Sequence, residues 1–272
     1  AGFMSLCGDD SLYAFTIYMF KRLLSSLSSK KNASTVEPPV AEESLIVAYD
    51  AYGQQMKIPR SEWRDKVFLP ALQQKWNSAA DLYSAILSGL EDGFPADLIP
   101  AAERLVEIDD IPERAHVIQG IVLMENGQSD AAESTLRAGI AKVGATGTLL
   151  TNLAKVFAGR GEDSRAGETL WQAIQADPNQ DNGLLWWATL QQESQGEAGY
   201  LNALRTAAAL PGSWRAQLWL ARHHLEQGET EQARVLYREV LAGKAFDAGA
   251  LMMISGDLGR NGEIASIVEL VA

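Results

Sequence analysis

From about residue 79 onward, apolar residues recur at intervals of three and four, the spacing that places them on one face of an α-helix. The pattern also repeats on a longer scale. Gly93, Gly127, Gly161, Gly196, Gly228 and Gly262 follow one another at gaps of 34, 34, 35, 32 and 34 residues, a period that signals arrays of one supersecondary unit. Blocks beginning at residues 113, 147, 181, 214 and 248 show what recurs. The eighth position holds Gly120, Ala154, Ala188, Ala221 and Ser255, always small, and the seventh holds Gln119, Leu153, Trp187, Leu220 and Ile254. The twentieth holds Ala132, Ala166, Tyr200, Ala233 and Ile267, and the twenty-fourth Leu136, Leu170, Leu204, Tyr237 and Val271. Two helices of a hairpin approach closely only where side chains are small, and large apolar residues fill the space beside such points. The pattern predicts an all-α solenoid over 79–272, with helix hairpins near 79–112, 113–146, 147–180, 181–213 and 214–247 and a partial one over 248–272. The block at 181 departs from the others, because Gly196 is displaced by one position and Tyr200 replaces the expected alanine.

Upstream the pattern changes. "LIVAYDAYGQQMKIP" alternates around Asp50–Gly53 and predicts a short N-terminal β-hairpin over 45–58. Ser61 is placed to cap a helix running to about Trp76, with Glu62 and Asp65 near its positive end, and Pro70 should kink or split that helix. Residues 45–78 are thus expected to be a hairpin plus a capping helix. "SSKKNASTVEPPVAEES", residues 28–44, has Ser, Pro and charge without an apolar period, the signature of a linker. Residues 1–44 are therefore expected to be a flexible, disordered N-terminal segment. Within them "LYAFTIYMF" (12–20) is shorter than the ~20 residues that span a bilayer, and Asp9 and Asp10 precede it where a secretory signal needs positive charge. Neither export nor a membrane span is expected. Met19 resembles a natural start, which would make residues 1–18 a leader. Phe20, Leu23, Leu24 and Leu27 share a helical face beside Lys21 and Arg22, so 19–29 has a second reading as a membrane-surface helix.

Charge and cysteine usage then remove function classes. Apolar residues make up 47% and charged residues 21%, an ordinary globular balance that fits the cytoplasm. The net charge of −12 argues against nucleic acid, whose phosphates need a positive face. Cys7 is the single cysteine, which leaves no disulfide framework and no cysteine zinc site.

The repeat resembles the tetratricopeptide repeat family. The best copy is "GTLLTNLAKVFAGRGEDSRAGETLWQAIQADPNQ", residues 147–180, in which Leu150, Leu153, Ala154, Phe157, Gly161, Ala166, Leu170, Ala173 and Pro178 stand where that family's pattern has them. The resemblance covers about 79–272, with 79–112 degenerate and 181–213 irregular. It implies a right-handed α-solenoid whose first helices line a concave groove through their second, fifth, ninth, twelfth and thirteenth residues. Carried onto this chain, those positions include Arg114, Val117, Ile121 and Met124; Thr151 and Lys155; Asn182, Leu185, Thr189 and Gln192; Arg215, Leu218, Arg222 and Glu226; and Met252. The lining is apolar with scattered cations, which suits an extended or helical peptide carrying apolar anchors and an acidic group. Some family members grip a terminal carboxylate with Lys, Arg and Asn. Only Asn152 fits that arrangement, while Val117, Ile121 and Trp186 stand at other places of the set, so a chaperone-tail clamp is not expected. Trp186 and Trp219 share the sixth position of adjacent blocks, where the readings are inter-repeat packing or an aromatic anchor pair. The residues expected to meet a partner are Arg114, Ile121, Asn152, Lys155, Thr189, Arg215, Trp219 and Arg222.

Candidate chemistry is thin. His223 and His224 are neighbours on a helix and point about 100° apart, so they do not chelate one ion together, and His223 with Glu226 lacks the further ligand a metal needs. His224 and His116 occupy positions that other copies fill with large packing residues. No nucleotide-binding glycine motif follows a strand, and no nucleophile–base–orienter trio emerges. No metal, cofactor or catalytic residue is expected. The reading is a non-enzymatic protein-interaction scaffold of bacterial type, binding a protein or peptide. Two others stand beside it: the recognition arm of an enzyme, such as a glycosyltransferase or methyltransferase, with its catalytic domain beyond residue 272, and a membrane-surface assembly factor tethered by 19–29. "IASIVELVA" at the end is apolar where a solenoid's last unit is usually polar, so either the chain continues or this end docks on a partner or a second copy in a homodimer.

Overall fold

The structure, a computed structural model, describes residues 45–49, 52–243, 246 and 248–271. The expectations for Cys7, the 12–20 run, residues 19–29 and the 28–44 linker lie outside the described residues, as do Asp50 of the hairpin turn and Ala272. Among the described residues the fold is all-α apart from one two-stranded sheet, and the chain divides into two compact units, Ala1–Gly139 and Ile140–Ala272.

In the first unit, β1 (Leu45–Tyr49) and β2 (Gln55–Pro59) pair antiparallel in the register Leu45↔Pro59 to Tyr49↔Gln55. One face of this ribbon half-buries the paired Ile46 and Ile58 and the other leaves Leu45 and Val47 exposed. The capping helix begins at α1 (Arg60–Trp63), widens into a π turn over Arg64–Phe68 and resumes as α2 (Leu69–Gln74). Two details differ from expectation. Pro59, not Ser61, holds the N-cap position, and it supplies no side-chain bond. The split predicted at Pro70 appears as the π turn just before it, since Pro70 offers no N–H to the carbonyl four residues back and the ladder loses a rung. Arg64 forks onto Asp97, Nε to Oδ2 at 2.7 Å and Nη2 to Oδ1 at 2.5 Å, and Trp63 Nε1 donates to Asp92 Oδ2 at 3.0 Å. These bonds seat the capping helix against the end of α3 (Ala79–Glu91) and a 3-10 turn at Pro95–Leu98, which leads into α4 (Ile99–Ile108). Next come α5 (Pro112–Glu125) and α6 (Ser129–Val143), whose last residues pass into the second unit. Gly120 shows why the eighth position is small: a Cβ there would lie 2.9 Å from Cγ and Cδ2 of Leu136, the twenty-fourth residue of the same block.

The second unit continues the hairpins with α7 (Gly147–Gly159), α8 (Asp163–Ala176), α9 (Asp181–Ala208), α10 (Arg215–Glu226), α11 (Thr230–Ala242), α12 (Ala248–Arg260) and α13 (Ile264–Val271). First helices α10 and α12 pack together, as do second helices α11 and α13, which is the side-by-side stacking of a solenoid. Two apolar clusters run through it. One joins Ile174, Leu184, Ala188, Ala203, Leu204 and Leu220; the other joins Leu218, Ala221, Tyr237, Val240, Ile254 and Leu258.

The glycine ladder has a backbone cause. Gly93, Gly127, Gly161, Gly196, Gly228 and Gly262 have φ of +78°, +72°, +77°, +67°, +76° and +77°, a region that costs other residues about 1–2 kcal/mol. At five of the six turns the next residue's N–H reaches back to the carbonyl five residues earlier: Phe94 to Gly89, Gln128 to Leu123, Glu162 to Phe157, Glu229 to His224 and Glu263 to Leu258, all at 2.8–2.9 Å. This closes the last turn of each first helix. Gly196 differs. With ψ −160° it is a single break between two helical stretches of α9, and the close approach there moves from Tyr200 to Gly199, where a Cβ would lie 2.4 Å from the Gln191 carbonyl oxygen. That shift is the irregularity of the 181 block. Gly161→Ala is expected to cost about 1 kcal/mol in urea denaturation, whereas Gly159→Ala, in a helical position with open space around it, should cost nothing. Equal effects would contradict the capping role.

A candidate interaction face on the first helices

Each of the expected partner-binding residues has a definite place. In the first unit, Arg114 near the start of α5 forks onto Asp109, Nε to Oδ2 at 2.8 Å and Nη2 to Oδ1 at 2.7 Å, and its guanidinium lies 4.9 Å from the Tyr83 ring centroid. The Asp109 bonds hold Arg114 protonated above its usual range. Ile121, the ninth residue of its block, is buried. Val117 is buried in the same way.

In the second unit, Asn152 and Lys155 stand one turn apart on α7. Asn152 is buried, donating Nδ2 to the Thr148 carbonyl at 2.9 Å, and its Oδ1 receives Lys155 Nζ at 3.4 Å. Lys155 is half-buried, and loss of water around its ammonium pulls its pKa down to about 8. Thr189 is half-buried on α9. The loop residue Asn179 fixes the start of α10 by accepting from the backbone N–H of both Trp214 and Arg215, at 2.8 and 3.0 Å. From that helix Trp219 Nε1 donates to Asp181 Oδ1 at 2.7 Å, and the Arg222 guanidinium stacks 4.3 Å above the Trp219 ring. Arg222 Nε then donates to Asp257 Oδ1 at 2.9 Å on α12. Asp257, whose side chain is fully enclosed, also receives the Arg260 guanidinium and the Tyr237 hydroxyl, the latter at 3.4 Å. Burial and this carboxylate push the Tyr237 phenol well above its ordinary range. Arg215 stacks on Trp214 at 4.3 Å, with Nε 3.9 Å from Asp181. Trp219, Arg215 and Arg222 are therefore brought together in one polar network across α9, α10 and α12. Of the other groove positions, Thr151 and Leu218 are buried, Leu185 is half-buried and Met252 is 76% exposed.

Sequence reasoning missed the anionic half of this network. Asp109, Asp181 and Asp257 are each buried, and the signal was a lone aspartate at an otherwise apolar point of a repeat, clearest at Asp257. It also missed Trp171, which stacks on Trp187 with centroids 4.6 Å apart. Trp186 and Trp219, equivalent by position, differ in setting. Trp186 is 2% exposed and its indole N–H has no acceptor among the described residues, because the block position that gives Trp219 its Asp181 holds Gly147 in the preceding block.

The histidines also differ from one another. His116 is buried, with Nδ1 2.6 Å from the Pro112 carbonyl. His224, read as a packing residue, instead sits at the end of α10 with Nδ1 2.6 Å from Glu229 Oε2, which pins the turn that Gly228 forms. His223 Nε2 lies 3.8 Å from Glu197. Among the described residues no group of three or more His, Cys, Asp and Glu side chains is placed to hold a metal ion. No helix among them is long and apolar enough to cross a membrane.

Comparison with known proteins agrees with the repeat. Residues 119–181 and 195–248 match the family model described as Tetratricopeptide repeat. Among solved structures the chain is similar to MamA (18% identity, covering 52% of this chain and 83% of that one, TM-score 0.40). It is also similar to Pseudomonas aeruginosa pilF (15%, 71% and 88%, TM-score 0.40) and to yeast Tom70 (17%, 74% and 42%, TM-score 0.45). No curated protein matches it. With its glycine-capped hairpins and its small eighth positions, the chain carries tetratricopeptide repeats over residues 119–181 and 195–248, the repeat of protein-interaction scaffolds.

Proposed function

We propose that the first-helix face of residues 147–226 receives a peptide segment of a partner protein, extended or helical, with apolar anchors and an acidic group. The observation that carries this reading is the company of half-buried side chains there. Lys155, Leu185, Thr189, Trp219 and Arg222 mix apolar, aromatic and cationic character and are neither closed into the core nor fully solvated. Interfaces draw their binding energy from such partly enclosed aromatic and cationic groups. Trp219 serves as an aromatic anchor held at a fixed angle by Asp181 and Arg222, and the arginines set the shape of the face while their charges are answered internally. Asn152 contributes by orienting Lys155, and on the first unit Arg114 is a partner contact in its own right. The work is recognition without chemistry, in the cytoplasm.

The test is capture from an extract of the source cell by the full chain. Proteins retained by the wild type should be lost with Lys155→Glu/Thr189→Arg at unchanged helicity, and kept with Gln232→Arg, an exposed change on second helix α11. Identical capture by all three would contradict the assignment. A second reading, self-association through the C-terminal helices, has one observation in its favour: Met252, Ile264 and Val268 on α12 and α13 are 76%, 66% and 63% exposed, apolar surface that a partner copy could cover. Sedimentation should show a dimer that Ile264→Glu/Val268→Glu converts to monomer; a concentration-independent monomer would dispose of it.

A further inference from the structure

The two edges of the N-terminal ribbon are built differently. β2, Gln55–Pro59, carries Lys57 and ends on Pro59, which has no N–H to offer a further strand. A lysine and a proline are what natural sheets use to keep other strands off an edge. β1, Leu45–Tyr49, has neither: the residues LIVAY are all uncharged and all keep their N–H groups. Among the described residues the sheet stops at these two strands, so the outer edge of β1 pairs with no described strand. α1 packs on both strands yet leaves Leu45 and Val47 uncovered, at 53% and 50% exposure. A two-stranded ribbon is marginal in water until further strands or a helix support it.

Charge decides what this edge fits. The chain carries −12, so two copies repel one another over most of their surface. Pairing β2 with β2 would add a lysine set against a lysine, whereas pairing β1 with β1 brings together two edges without any charge. The strand also matches itself in the antiparallel sense. With Val47 opposite Val47, Leu45 falls opposite Tyr49 and Ile46 opposite Ala48, so the whole strand pairs and every residue keeps its face. Half-buried Ile46 and Ala48 then continue one face. On the other, each Val47 meets its counterpart directly and the second Leu45 diagonally, the apolar cross-strand contacts that stabilise sheets.

We propose that the outer edge of β1 is a self-association surface, on which the β1 strands of two copies pair antiparallel about Val47 and form a four-stranded sheet in the order β2-β1-β1-β2 around a two-fold axis. The surface is separate from the first-helix face and from the apolar C-terminal helices, and it stands or falls independently of peptide binding. A five-residue edge is a small interface, so the dimer is weak, with a dissociation constant on the order of micromolar or above.

Sedimentation of the full chain across the micromolar range should show a concentration-dependent dimer. Val47→Glu should weaken it by roughly 10-fold or more, because two carboxylates then face each other. Within each copy the new carboxylate lies opposite Lys57, so the ribbon itself stays paired. Mixing Val47→Glu with Val47→Lys should restore association. The register is read by comparing Val47→Cys with Lys57→Cys under copper–phenanthroline oxidation, in a Cys7→Ser background because Cys7 is the single native cysteine. Val47→Cys chains should link into covalent dimers. Lys57→Cys chains, held three strand spacings apart at about 14 Å, lie beyond disulfide reach and should not. A wild type that stays monomeric at every concentration would mean that the edge is closed by the chain's own N-terminal residues or by another protein, and overturns the pairing. A dimer that survives Val47→Glu but is dissolved by Ile264→Glu/Val268→Glu belongs to the C-terminal helices and overturns it too. So does linkage that is absent from Val47→Cys or equal at the two positions.

Discussion

Lys155→Met is expected to make the protein more stable, by roughly 3 kcal/mol at pH 7. The side chains are similar in length, so packing changes little. What disappears is the cost of keeping an ammonium where burial lowers its pKa from 10.5 to about 8. The sign follows from proton counting. Between about pH 8 and pH 10.5 the unfolded chain holds the Lys155 proton more tightly than the folded one, so the wild type gains stability as pH rises through that window. Below pH 8 the full penalty applies; above 10.5 both states carry a neutral amine and none remains. The advantage of the methionine variant should therefore be complete at pH 7, smaller at pH 9 and gone near pH 10.5. Trp171, Trp186, Trp187, Trp214 and Trp219 all lie in residues 140–272, so the fluorescence transition in urea reports mainly on the unit concerned. A gain of the same size at pH 7 and pH 10, or a loss, would contradict the desolvated amine. Keeping a residue that costs stability is what a recognition site requires when function and packing compete.

Asp257→Ala should have the opposite sign and similar size, a loss of about 3 kcal/mol in the same unit. Its carboxylate is the meeting point of Arg222, Arg260 and Tyr237, and the Tyr237 side chain is fully buried. Removing the acceptor strands a phenol and a three-quarters-enclosed guanidinium with little water to replace it. The loss measures stranded donors more than the worth of the ion pair. Asp257→Leu/Arg222→Met, which removes both charges, should accordingly recover at least half of the loss. If the double variant is as unstable as the single one, the cost lies in shape or in Tyr237 rather than in the uncompensated charge.

The division between what could be read from the chain and what could not has a physical basis. Turn glycines and the small eighth positions repeat because each hairpin imposes the same local demand, and a local demand leaves its mark at a fixed period. The Gly120–Leu136 approach and the positive φ of Gly161 were in this sense legible. The pairs that tie one block to the next were not. Arg222 and Asp257 are 35 residues apart, and Trp219 and Asp181 are 38 apart, with nothing in the period to say that a ninth position meets a tenth in the next copy. That is why Arg215 and Arg222 read as open cations, although each lies beside a buried aspartate; Arg114 read so too, although its Asp109 is only five residues away. Ile121 and Asn152 read as surface because a position number fixes a direction along the helix but not how far the neighbouring helix covers it. The 181 block failed for a different reason: a single-residue break at Gly196 rephased the second half of α9, which moved the close contact to Gly199.

Recognition on the first helices of the second unit is tested most directly by where a partner can be trapped. A photoreactive p-benzoylphenylalanine placed singly at Thr189 or Gln192 on α9, and at Gln232 or Glu239 on α11, would be activated in the source cell with the full chain. The same discrete adducts are expected from Thr189 and Gln192, with none from Gln232 and Glu239. Adducts confined to the α11 positions, or formed equally from both faces, would show that the first helices are not where this protein meets its partner.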